Sequence, residues 1–172
     1  MDRYVRIVGG LSRLCGIVAV ALIVVAMFAV CHMVVVRGLL GRAVVWQTEF
    51  ATFALVAATL IGSPYVLMVR GHVNVDLLPL YLGQTSRKVL ALVTGCAGLL
   101  FCGLLFGYAV GWWLEAWDGD WTTDSLWRAR LWIPYLALPV GMFVLVLQYV
   151  ADIWCVAAGR AHPFGMEPEM KP

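Results

Sequence analysis

Four apolar runs, separated by short polar connections, occupy most of this 172-residue chain, at residues 14–36, 50–69, 89–114 and 131–151. A helix rises about 1.5 Å per residue, so roughly 20 residues cross a hydrocarbon core about 30 Å thick, and each run is long enough. Inside a bilayer the backbone must satisfy its own hydrogen bonds, which a helix does. The pattern predicts an all-α membrane protein with four transmembrane helices. They form a single four-helix membrane domain over residues 1–158, followed by a flexible tail, 159–172, rich in Pro and charge. Ahead of the first span, Tyr4, Ile7, Val8 and Leu11 recur at helical spacing while Arg3, Arg6 and Arg13 are polar. This predicts a short N-terminal interfacial helix on the membrane surface, although Gly9-Gly10 works against it. The first span exceeds the about 7–15 apolar residues of a signal peptide, so it is read as a retained anchor.

Basic residues set the expected topology. Eight of the twelve fall in the N-terminal segment, the loop after span two (Arg70, Arg87, Lys88) and the tail (Arg160, Lys171). Both termini and the middle loop are therefore expected in the cytoplasm, in the inner membrane if the source is bacterial. The opposite loops carry Arg37 and Arg42, and Arg128 and Arg130 among acidic residues. Seven of the eight tryptophans also lie on that proposed outer side, where indoles favour the membrane–water interface. The density of aromatic and acidic residues there makes Trp117, Asp118, Asp120, Trp121 and Asp124 candidates for a periplasmic docking surface. An aromatic belt alone accounts for the same tryptophans.

Composition narrows the function. Hydrophobic residues make up 63% and charged residues 13%, against about 45–50% and 25% in soluble proteins. The net charge of +2 gives no case for nucleic acid. The five cysteines lie in or beside spans, form no C-x-x-C pair and read as small packing residues. His32 alone among three histidines lies within a span, so a haem held between facing histidines is not expected. A small multidrug exporter would carry a mid-span carboxylate, and no Asp or Glu lies mid-span. The chain is not expected to be an enzyme, nor to bind metal or cofactor. Its reading is a non-catalytic subunit of a larger assembly; a stand-alone small exporter or a membrane redox protein is the alternative.

Packing signals follow the same direction. Gly103, Gly107 and Gly111 recur every four residues in span three and form a smooth ridge for another helix, of this chain or of a partner. Pro64 and Pro139 remove backbone donors and are candidate kinks in spans two and four.

The most specific stretch surrounds span two. Trp46-Gln47-Thr48-Glu49 opens it, Gly62 lies within it, and Arg70-Gly71-His72 followed by Asp76 leaves it. Span four adds Trp132-Ile133-Pro134-Tyr135 and Leu138-Pro139-Val140-Gly141. Together these resemble the small membrane subunit, DctQ type, of tripartite ATP-independent periplasmic (TRAP) transporters, over nearly the whole chain. Thr48 departs from the family, which often has a second acid there, and Ala129-Arg130 stand where it often has a proline. The resemblance implies a scaffold subunit of a secondary transporter importing an organic acid anion. Its implied partners are a large membrane subunit in an obligate heterodimer, a periplasmic substrate-binding protein engaged transiently, and membrane lipids. Sodium ions and substrate would be held by the large subunit, with no substrate site in this chain. Trp46, Glu49, Gly62, Arg70, Gly71, His72, Asp76, Pro139 and Gly141, with the glycine ridge, are then candidate structural or large-subunit interface residues. Asp76 is expected in the first turn of a short cytoplasmic-loop helix, where a negative charge is favourable.

Overall fold

The computed structural model describes residues 2–41, 45–69 and 84–159. It contains helix α1 at Asp2–Leu40, α2 at Trp46–Met68, α3 at Gln84–Asp118, a one-turn α4 at Trp132–Tyr135 and α5 at Ala137–Ala157. Four helical stretches are long and apolar enough to cross a membrane, the last combining α4 and α5. Arg70, Gly71, His72 and Asp76, the expected cytoplasmic-loop helix and the tail from residue 160 lie outside the described residues.

The N-terminal segment corrects one expectation. Residues 2–13 are helical, but they run into the first span as one 39-residue helix rather than forming a separate interfacial one. At about 1.5 Å per residue α1 is about 58 Å long, nearly twice a hydrocarbon core. The Gly9-Gly10 pair does not break it because a tertiary partner holds that segment. Val8, Ser12, Cys15, Gly16 and Ala19 form one buried stripe, and Arg3, Arg6 and Arg13 point away from it. The helix ends at Gly41, whose φ of +61° suits a residue without a Cβ.

The side chains are sorted by size. The buried positions are mostly small, including Ala19, Ala26, Ala51, Ala54, Ala58, Ala137 and Ala151, while large apolar residues such as Phe28, Leu100, Phe101 and Tyr108 are exposed. A water-soluble bundle would invert this. Between helices in lipid, apolar burial gives little drive, and close approach of backbones through small residues holds the bundle instead.

Helix α5 is the hub. It packs against α1, α2 and α3, while α1 pairs most extensively with α2, and α3 rests mainly on α5. Glycines mark the crossings. A Cβ on Gly62 would lie 3.1 Å from that of Ala19, and one on Gly16 would enter the Tyr65 ring. On α3, Gly95 meets Ile153 and Gly98 meets the Tyr149 ring.

The prolines sit where their missing N–H is accommodated. Pro64 leaves the Leu60 carbonyl without its helical donor, and the Ser63 hydroxyl donates to that oxygen at 2.8 Å. Pro139 is the third residue of α5, where no intrahelical donor is needed. Helical backbone continues through Leu136, whose N–H donates to the Trp132 carbonyl at 3.2 Å and whose carbonyl accepts from Val140 N at 3.2 Å, so α4 leads directly into α5.

Candidate functional site

Most of the described sequence candidates gather in two regions, the bundle end carrying the 119–131 loop and the free flank of α3, while Gly62, Pro139 and Gly141 lie inside the bundle.

At the loop end, Trp46 and Glu49 occupy the first turn of α2, where a carboxylate faces the positive end of the helix dipole. Trp46 packs at ring-centroid distances of 6.4 Å against His32, Phe50 and Trp127, joining α1, α2 and the loop. Between them Gln47 is wholly buried, and its Nε2 donates to His32 Nδ1 at 2.9 Å. Two oxygens are left inaccessible and without a hydrogen-bond donor among the described residues, Gln47 Oε1 and Glu49 Oε2. Such orphans are expensive in isolation. The sequence motif gives Gln47 no role of its own; its burial comes from the contact of α2 with α1.

The loop itself is closely tied. Thr123 N donates to the Ala129 carbonyl at 3.0 Å, Ala129 N to Thr123 Oγ1 at 3.0 Å, and Leu131 N to the Trp121 carbonyl at 2.9 Å. Trp113 Nε1 donates to the Trp132 carbonyl at 3.0 Å, and Trp117 meets Trp132 edge-on at 4.6 Å. Much of the aromatic density therefore fastens α3 to α4. Of the docking candidates, Trp117 and Trp121 are partly engaged in this packing and partly exposed. Asp118, Asp120 and Asp124 are exposed, Asp120 in a left-handed turn at φ +45°.

Among the described residues, the glycine ridge meets no other part of the chain. Only Cys102, Ala109 and Ala116 of α3 are buried among its described residues, at intervals of seven, which is one narrow seam against α5. Gly103, Gly107 and Gly111 lie roughly 100° to 180° round the helix from that seam. A Cβ added at any of the three would find no described atom within 4 Å. Gly62 and Gly141, by contrast, are packed inside the chain, Gly141 against the Leu60 carbonyl, and Pro139 is buried beside them.

The opposite end holds a polar chain that sequence reading missed. Ser12 Oγ donates to Gln148 Oε1 at 2.8 Å, and Gln148 Nε2 donates to Asp152 Oδ1 at 3.1 Å, linking α1 to α5. Tyr4 donates its O–H to the Leu147 carbonyl at 3.1 Å. Lys88 Nζ donates to the Ala157 carbonyl at 3.2 Å, a cation at the negative end of α5. The available signal was Gln148 four residues before Asp152, a polar stripe in an otherwise apolar span. All five cysteines are free thiols. No three His, Cys, Asp or Glu side chains gather among the described residues as metal ligands do.

Comparison with known proteins places this architecture. The family of tripartite ATP-independent periplasmic transporters, DctQ component, matches residues 26–159. The C4-dicarboxylate TRAP transporter small permease protein DctQ of Vibrio cholerae serotype O1 is 26% identical, over 74% of this chain and 64% of that protein. The protein of the same description from Rhodobacter capsulatus is 26% identical, over 64% of this chain and 48% of that protein. The chain thus spans less than two thirds of the length of either relative. No solved structure matches it significantly. With four apolar spans and a family match that runs from the first span through the last, this multi-pass membrane chain belongs to the DctQ component family of TRAP transporters.

Proposed function

We propose that the chain is the small scaffold permease subunit of a TRAP-type secondary transporter that imports an organic acid anion. It would work with a large membrane subunit and a periplasmic substrate-binding protein, in the bacterial inner membrane with both termini cytoplasmic. Substrate and sodium belong to the large subunit in this reading, and the chain itself is not an enzyme. The relatives' names make C4-dicarboxylates the first anions to test.

The observation that carries the reading is the open flank of α3. Among the described residues this span packs along one side, against α4 and α5, and no atom lies within 4 Å of a Cβ added at the three ridge glycines, an arrangement suited to another helix at short range. Lipid tails gain nothing from a glycine ridge; a second backbone does. The orphan Glu49 oxygen supports the same conclusion, because a donor from a partner chain would satisfy it.

Co-expression with a large TRAP membrane subunit from the same source tests this. The two are expected to co-purify one to one, with the lone chain less stable in mild detergent. Gly107→Leu should break the pair while leaving the helical content of the isolated chain unchanged. Failure of the wild-type pair to form would overturn the subunit reading. Pairing that survives Gly107→Leu would move the interface off the ridge.

A further inference from the structure

An apolar trough of about 680 Å³ opens on the bundle surface between α1, α2, the 127–130 segment and the start of α5. Its walls include Val18, Phe53, Ala57, Ile61 and Val140, and Arg128 and Arg130 stand among its lining residues. On α2 the lining runs from Phe50 to Ile61, about 16 Å along a helix axis, or half of a hydrocarbon core of about 30 Å. The trough therefore has the depth of one leaflet, with both cations near the interface and apolar wall below. No acidic residue lines it, and neither arginine has an ion-pair partner among the described residues.

The backbone supports the arginine placement. Arg128 adopts φ +48°, a left-handed conformation that costs a residue with a Cβ of order 1 kcal/mol or more. The loop's hydrogen bonds hold it there, with Arg128 N donating to the Ser125 carbonyl at 3.1 Å and Trp127 N to Ser125 Oγ at 3.2 Å.

We infer that this trough is a specific site for an anionic phospholipid of the leaflet on the loop side, with an acyl chain along Phe53, Ala57 and Ile61 and the phosphate between Arg128 and Arg130. The guanidinium fork suits phosphate oxygens, and basic pockets between spans bind lipid headgroups. A transmembrane helix of a partner would need a groove through both leaflets. The inference requires only that the chain lies in a membrane, so it stands or falls separately from the subunit assignment.

The full chain, purified in mild detergent with any subunit that accompanies it, is stripped of lipid and titrated, with retained ligand read by native mass spectrometry. The probes are dioleoyl phosphatidylglycerol, dioleoyl phosphatidylcholine and glycerol 3-phosphate. One phosphatidylglycerol should be retained in preference to phosphatidylcholine, and glycerol 3-phosphate should not be retained. R128Q/R130Q should weaken phosphatidylglycerol roughly 30-fold and abolish the headgroup preference. Equal retention of the two lipids by the wild-type chain, an unchanged double variant, or retention of glycerol 3-phosphate alone would each overturn the site. A benzophenone side chain at Phe53, in an otherwise wild-type chain in its own membrane, supplies a test that the loop variants cannot confound. Cross-linking to phospholipid supports the site, and cross-linking to a polypeptide gives the trough to a partner helix and overturns it.

Discussion

Gly141 of α5 faces the main-chain carbonyl of Leu60 on α2 so closely that a Cβ at that position would overlap the oxygen. That carbonyl is the one Pro64 deprives of its helical donor and Ser63 caps from the same helix. The two central spans thus meet backbone to backbone at the point where α2 lacks a regular hydrogen bond.

Gly141→Ala should therefore destabilise the chain by about 1–3 kcal/mol, because a helix backbone cannot give way as a flexible side chain can. Gly107→Ala, on the open ridge, should be neutral or stabilising by up to about 1 kcal/mol through helix propensity. Thermal unfolding in one detergent compares them, and equal effects would contradict the packing described.

The Ser12–Gln148 hydrogen bond predicts a coupling. Ser12→Ala leaves a buried amide oxygen unsatisfied and should lower stability by about 1 kcal/mol. Once Gln148 is leucine, the same change should cost less. A double-mutant cycle showing additivity would mean that the bond contributes nothing beyond shape.

Glu49 gives opposite predictions for the lone chain and for the pair. Glu49→Gln neutralises a carboxylate whose Oε2 has no donor among the described residues, so the isolated chain should gain roughly 1 kcal/mol. If the large subunit supplies the donor, the same variant should loosen the pair. Detergent unfolding and co-purification read the two effects independently.

The proposed docking role of the exposed aspartates can be separated from folding. Replacing Asp118, Asp120 and Asp124 together by Asn should change stability by less than about 0.5 kcal/mol, since Asn also tolerates the left-handed turn at 120. On the proposed role, association with a substrate-binding protein should slow and lose part of its salt dependence. An unchanged on-rate in reconstituted membranes would remove this loop from the docking surface.

Hydropathy and length were sufficient to read four spans, because each run must cross a core of fixed thickness. Sequence also puts Trp46 and Glu49 at the opening of span two, and both lie in the first turn of α2. Sequence placed Gly62, Gly103, Gly107, Gly111 and Gly141 in one class; tertiary structure divided them, packing Gly62 and Gly141 inside the chain and leaving the other three open. A glycine's sequence carries no record of what lies beyond its missing side chain. The N-terminal segment shows the same limit. Its amphipathic spacing, with Arg3, Arg6 and Arg13 on the polar side, reads as a separate surface helix, but Ser12 and Tyr4 find acceptors on α5 more than 130 residues away and draw the segment into one continuous helix. Periodicity determines which face of a helix is apolar, and only the assembled bundle determines what that face meets.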